Sequence, residues 1–186
     1  MPSTARVESL LESDGERSVW DGVAGAIAVA VRALLAGPVE RDDVERRAAD
    51  TLMRLAIVEG GHANWPPHAD KPLVQNGRIR VQWCHGAPGV LTTLWRLAPE
   101  DEVWSEPLLA AGRLVWDAGP LRAAAGLCHG TAGSAYALLA LWRRTGDERW
   151  LERARALALH AAGQAEESPR HGLFTGDEGV ALCLAS

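Results

Sequence analysis

Lysine is nearly missing from this sequence. Lys71 stands alone, every other basic side chain is arginine, and the acidic residues outnumber the basic ones to leave a net charge of −5. No basic stripe for nucleic acid or an anionic membrane remains. The arginine bias reads as GC-rich coding, not as function. Long apolar runs are missing too. The most apolar stretch, Val23 to Gly37, is interrupted by Gly25 and Arg32, which excludes a bilayer span. The first 19 residues carry four serines and several charges. No secretory signal is read there, and a cytoplasmic location is expected. Cysteine is scarce: Cys84, Cys128 and Cys183 are an odd number, which argues against a disulfide framework and leaves reduced thiols for a metal. With 47% apolar residues over 186 positions, the chain is long enough for one domain with a sizeable core.

What is there is a repeat. Gly22-Val-Ala-Gly25, Gly86-Ala-Pro-Gly89, Gly130-Thr-Ala-Gly133 and Gly176-Asp-Glu-Gly179 each precede an apolar run, with starts 64, 44 and 46 residues apart. A period in the mid-forties is the size of one helical hairpin in a solenoid or toroid. The longest interval contains an extra loop, Gly60 to Arg80, rich in Pro, Gly and His; long loops are commonly functional. Ala26 to Leu35, Val90 to Leu97 and Ser134 to Trp142 are apolar nearly all round and predict buried helices. Arg41 to Val58, Asp101 to Trp116 and Asp147 to Ala162 are amphipathic. In the last, Trp150, Leu151, Ala154, Leu157 and Ala158 share one face, with Glu152, Arg153 and Arg155 on the other. An all-α fold follows, with an inner layer and an outer layer of helical hairpins. Strands are not expected beyond a short candidate, Arg78 to Trp83. Residues 1–18 form a poorly defined N-terminal segment and 19–186 the domain. If the Gly-x-x-Gly turns share one end of the fold, residues beside them converge there.

Two cysteines stand against those turns. Cys84-His85-Gly86 and Cys128-His129-Gly130 are one phrase occurring twice, one repeat apart. Two thiolates and an imidazole make a zinc set with a fourth position open, as at a catalytic centre. The bland reading is also available: either cysteine alone is core filler, and either histidine alone a cap or core residue. Cys183, within Val180 to Leu184, reads as a buried core thiol.

Val-Gln-Trp-Cys84-His85-Gly-Ala-Pro-Gly-Val and Gly-Leu-Cys128-His129-Gly-Thr-Ala-Gly-Ser-Ala-Tyr resemble the two zinc motifs of the lanthionine synthetase C-like family. Asn64-Trp-Pro-Pro67 resembles the loop before the first motif, and Leu173-Phe-Thr-Gly176-Asp-Glu-Gly179 the terminal motif. The resemblance runs from about Val19 to the end. It implies an α/α toroid of seven helical hairpins with a central zinc held by Cys84, Cys128 and His129. About four of the seven units are present, matching the C-terminal half of a family chain about twice this length. It further implies addition of a thiol to dehydroalanine or dehydrobutyrine in a dehydrated peptide, making a thioether. The thiol is a peptide cysteine in lantibiotic cyclases and glutathione in the eukaryote-type relatives, which, like this chain, carry His (here His85) where the cyclases commonly carry Tyr.

The expected chemistry follows from the ligands. Zinc deprotonates the incoming thiol, the sulfur attacks the β-carbon, and a general acid protonates the resulting enolate at the α-carbon. The candidate acids are His85 and Asp21. Asp21 stands where the family usually has a histidine, and it also reads as a cap before the following helix. A partial ring leaves an apolar flank open, so the chain is expected to be a fragment, half of a split protein with an N-terminal partner chain, or a homo-oligomer; the last helix is cut short at Ser186. A zinc- and glutathione-binding module without turnover is the alternative function. Other helical barrels fit less well. Glycosidases need paired carboxylates, and the adjacent pairs Glu166-Glu167 and Asp177-Glu178 read as solvated loop charge. The Asp-x-Cys phrase of prenyltransferase barrels is missing.

Overall fold

The computed structural model describes residues 50, 52–66, 72–95, 102–122 and 124–186. Within them lie α1 (Ala87–Leu94), α2 (Glu102–Ala118), α3 (Thr131–Thr145), α4 (Glu148–Glu167) and α5 (Asp177–Leu184). The turn Gly22–Gly25, the run Ala26 to Leu35 and Asp21 lie outside the described residues.

The helices sort into two layers. α1, α3 and α5 pack side by side; α2 lies across α1 and α3, and α4 across α3 and α5. α1 and α3 of the inner row are buried on nearly all sides: Thr131 to Ser134 and Leu138 to Leu141 of α3 are buried, as are Val90, Leu91 and Leu94 of α1, whereas α5 buries Val180 and Cys183 and exposes Leu182 and Leu184. Each fully buried Leu contributes about 1.5–3 kcal/mol. The outer helices are amphipathic. On α4, Trp150, Ala154, Leu157, Ala158 and Ala161 face inward, close to the stripe read from the sequence. Arg153 is an exception to its predicted solvent face. Its guanidinium lies over the rings of Trp116 and Trp150, 5.2 and 5.0 Å from their centroids, which a long stem with a flat cationic head allows.

The α3–α4 hairpin is set locally. Gly146 takes φ 67° and closes α3 by donating its N–H to Trp142 O. Asp147 then caps α4 through Oδ1, which accepts from Arg149 N–H at 3.0 Å. A partial α/α ring of helical hairpins results, as expected. Among the described residues no helix is long and apolar enough to cross a membrane.

The segment between Ala56 and Arg80 differs from the sequence expectation, which runs an amphipathic helix to Val58 and a loop with almost no strand from Gly60 to Arg80. β1 (Ile57–Glu59) pairs antiparallel with β2 (His62–Asn64), and β3 (Val74–Gln75) with β4 (Arg78–Ile79). Only Arg78 and Ile79 of the candidate strand Arg78 to Trp83 are extended and paired. The cause is turn chemistry. Gly60-Gly61 and Asn76-Gly77 all have positive φ, the geometry of tight hairpin turns that match strand twist.

Candidate metal centre at the glycine turns

Three of the four glycine turns are described, and the main chain stitches them together. Cys84 N–H donates to Cys128 O at 3.0 Å, and Cys128 N–H donates to Phe174 O at 2.7 Å. Each turn therefore hangs on the next, and the Trp83 and Phe174 rings lie 5.8 Å apart beside them. The second glycine of the last two pairs permits the close approach. A Cβ on Gly133 would overlap Leu127 O, and one on Gly179 would overlap Leu173 O, six residues back in both cases. The two turns are built alike, down to the bonds Thr131 N–H to Ala124 O and Asp177 N–H to Arg170 O.

The stitching brings Cys84, Cys128 and His129 together. Their sulfur and ring-nitrogen atoms lie within 4.8 Å of one another, and all three residues are half-buried. A tetrahedral zinc at about 2.3 Å from sulfur sets its sulfur donors roughly 3.8 Å apart, so the trio is commensurate with one ion. Burial, then a hydrogen bond to Cys128 and the repulsion of its thiolate, push Cys84 up to about 11. A cation among the donors reverses that situation, because it stabilises thiolate where burial alone does not.

His85 lies beside the trio and not within it: its Nδ1 is 3.3 Å from Cys84 Sγ. Gln82 Oε1 is 4.0 Å from the same sulfur. Cys183 stands apart, as expected of a core thiol. It is buried, donates to Ala132 O at 3.5 Å, and is pushed up to about 11 by burial. The carboxylate pairs do not form a hydrolytic site. Asp177 Oδ2 accepts from Arg170 N–H at 3.1 Å and Glu178 Oε2 from Gly172 N–H at 2.5 Å. These contacts hold the loop before α5. Backbone N–H groups, its own first and then that of Gly172, keep the Glu178 carboxyl below the usual range. Glu166 and Glu167 are exposed.

A polar cavity of about 210 Å³ lies between the loop holding Ala124 and Ala125 and the loop holding Thr175 and Asp177, flanked by Arg122 and Arg170. The sequence reading did not single out either arginine; no spacing marks them, since the loops meet only through the turn ladder.

A ring of helical hairpins whose glycine turns gather two cysteines and a histidine defines a recognisable class, and comparison with known proteins gives its name. The family described as lanthionine synthetase C-like protein matches residues 21–186; the chain belongs to that family. It is 38% identical over 152 residues to the glutathione S-transferase LANCL1 of Danio rerio, covering 80% of this chain and 35% of that protein. It is 32% identical over 149 residues to the LanC-like protein GCL1 of Arabidopsis thaliana, covering 78% of this chain and 33% of that protein. The match thus spans about a third of the length of these relatives, both of them eukaryotic.

Proposed function

We propose that Cys84, Cys128 and His129 hold one zinc ion, and that the protein activates a thiol for addition to dehydroalanine or dehydrobutyrine. The observation that carries this reading is the convergence of two Cys-His-Gly turns, 44 residues apart in sequence, on one point. When bound, zinc supplies a Lewis acid at which a thiol loses its proton near neutral pH. The chain's own groups do the rest. The Cys84 and Cys128 sulfurs and the His129 ring provide three donors and leave one position for substrate. The substrate sulfur forms its bond to the β-carbon as the double-bond pair moves toward the carbonyl. His85, beside Cys84 Sγ, is the described residue best situated to deliver a proton to the α-carbon, regaining one from water afterwards. Asp21 is the second candidate acid and lies outside the described residues.

Glutathione is the thiol we favour, over a cysteine of the peptide itself. The fish relative's name supports it, as does His85 in the first motif. The cavity flanked by Arg122 and Arg170 offers two guanidiniums to the carboxylates that glutathione carries. The location assigned with this reading is the cytoplasm, where the three free cysteines stay reduced. The test is thioether formation from a dehydroalanine peptide, with and without glutathione, in zinc-loaded and chelator-treated protein. Product that survives complete zinc removal would overturn the reading.

One observation favours a second reading, a zinc- and glutathione-binding module without turnover. The match covers only about a third of the relatives' length, and these residues alone do not include the remaining walls that would hold an electrophile. Zinc and glutathione bound with no product, until a partner supplying those walls is added, is the result that selects it.

A further inference from the structure

Asn64 is 2% exposed and ends β2, yet its side chain is engaged elsewhere. Nδ2–H donates to Arg80 O at 3.0 Å, and Oδ1 accepts from Ala87 N–H at 2.8 Å. Those partners are the two ends of residues 80–87, the stretch that carries Cys84 and His85. Inside it, Gln82 and His85 exchange backbone bonds of 2.9 and 3.2 Å. One amide therefore closes the whole stretch into a loop. The fit is close from the loop side as well. Gly86 has φ 111°, and a Cβ there would stand 2.8 Å from Asn64 Oδ1. From that closed loop Cys84 N–H reaches Cys128 O.

We infer that Asn64 is a positioning residue: its amide sets Cys84 Sγ against Cys128 and His129, and so sets the metal affinity of the trio. The inference rests on the reading that the trio binds zinc. A side chain that only stabilised the hairpin would change melting and leave the ligand geometry alone. Asn64 instead spans the ligand-bearing loop from Arg80 to Ala87, so its loss moves the ligand.

The experiment measures zinc affinity by chelator competition and records the visible spectrum of the cobalt-substituted chain, for wild type, Asn64→Asp and a control, Trp65→Phe. Aspartate keeps an acceptor for Ala87 N–H and turns the donor facing Arg80 O into another acceptor. In the control, loss of Trp65 Nε1 removes its 2.6 Å bond to Leu52 O, a neighbouring buried bond that does not touch residues 80–87. Asn64→Asp should weaken zinc binding by roughly 10–100-fold and shift the ligand-field bands of cobalt. Trp65→Phe should lower the melting temperature and leave both readings unchanged. Wild-type affinity and an unaltered cobalt spectrum in Asn64→Asp would overturn the inference alone; a wild-type chain that binds no zinc would overturn the metal site with it. Asn64→Ala, which removes both bonds, is read in the same way, so either variant that folds decides. If neither folds, the inference is overturned, because the amide then holds the fold and not the ligand.

Discussion

The backbone N–H of Cys84 lies 3.0 Å from the carbonyl oxygen of Cys128, so the two proposed thiolate ligands are joined through their main chains before any ion enters. That bond fixes which cysteines belong to the site and which does not.

The first expectation is about one zinc per chain. Cys84→Ala and Cys128→Ala should each abolish stoichiometric metal, whereas Cys183→Ser, on an inner helix and bonded to Ala132 O, should leave it unchanged. Elemental analysis of protein purified under reducing conditions checks this. Full zinc in the Cys84→Ala, Cys128→Ala double variant would eliminate the site.

Alkaline pH should weaken the metal-free fold through Cys183. Burial raises its thiol from 9.0 to about 11. Between those values the unfolded chain has released the proton and the folded chain still holds it. Stability is therefore full below pH 9 and falls as pH rises toward 11. The two-unit gap sets a ceiling on the order of 2–3 kcal/mol. Urea unfolding at pH 8.5 and 10.5, compared between wild type and Cys183→Ser, should show a steeper loss in wild type. Equal slopes would mean that the thiol titrates no higher in the fold than in the unfolded chain.

Truncation of the inner layer should cost far more than truncation of the outer surface. Leu138 is fully buried on α3, and Leu159 is 69% exposed on α4. Leu138→Ala should destabilise by about 2–5 kcal/mol and Leu159→Ala by no more than about 0.5 kcal/mol, measured by denaturant titration. Similar losses at both sites would contradict the two-layer packing.

Activity is expected to be slow in the isolated chain even with zinc bound. If the acid is the family histidine whose place Asp21 takes, its replacement is worth ~10²–10⁴ in rate, and testing these residues without the remaining hairpins costs on the order of 10² more in positioning. Asp21→His should recover part of the first factor, and a matching N-terminal half part of the second. The readout is the initial rate of glutathione addition to a dehydroalanine peptide. Turnover by the isolated chain at the pace of a full-length relative would show that neither feature limits it.

Periodicity carried most of the fold. The apolar runs of α1 and α3 and the Trp150–Leu157 stripe of α4 were legible because an inner helix has no solvent face and an outer one has half of one. The duplicated Cys-His-Gly phrase marked the two cysteines of the proposed metal trio. Choosing His129 over His85 rested on family resemblance, and the geometry sets His129 in the cluster with His85 beside it. The β3–β4 hairpin was signalled by Asn76-Gly77, a strong turn pair, but strands of two residues leave no alternation to read. Asn64 was visible only as part of a motif. Its partners, 16 and 23 residues away, are main-chain atoms, which carry no side-chain signature. Arg153 looked like surface charge because sequence spacing does not reveal that Trp116, on another helix, lies under it.

The turn ladder also orders events in time. Cys84 and Cys128 meet only when α1 has docked on α3, so the ion has no preformed local site on a nascent chain, unlike the short Cys-x-x-Cys loops of zinc fingers. If the trio binds zinc as proposed, uptake should follow assembly of the hairpins, and the apo protein should collapse and pack first. The ligand field of a cobalt probe, followed during refolding, becomes a clock for the docking of one hairpin on the next.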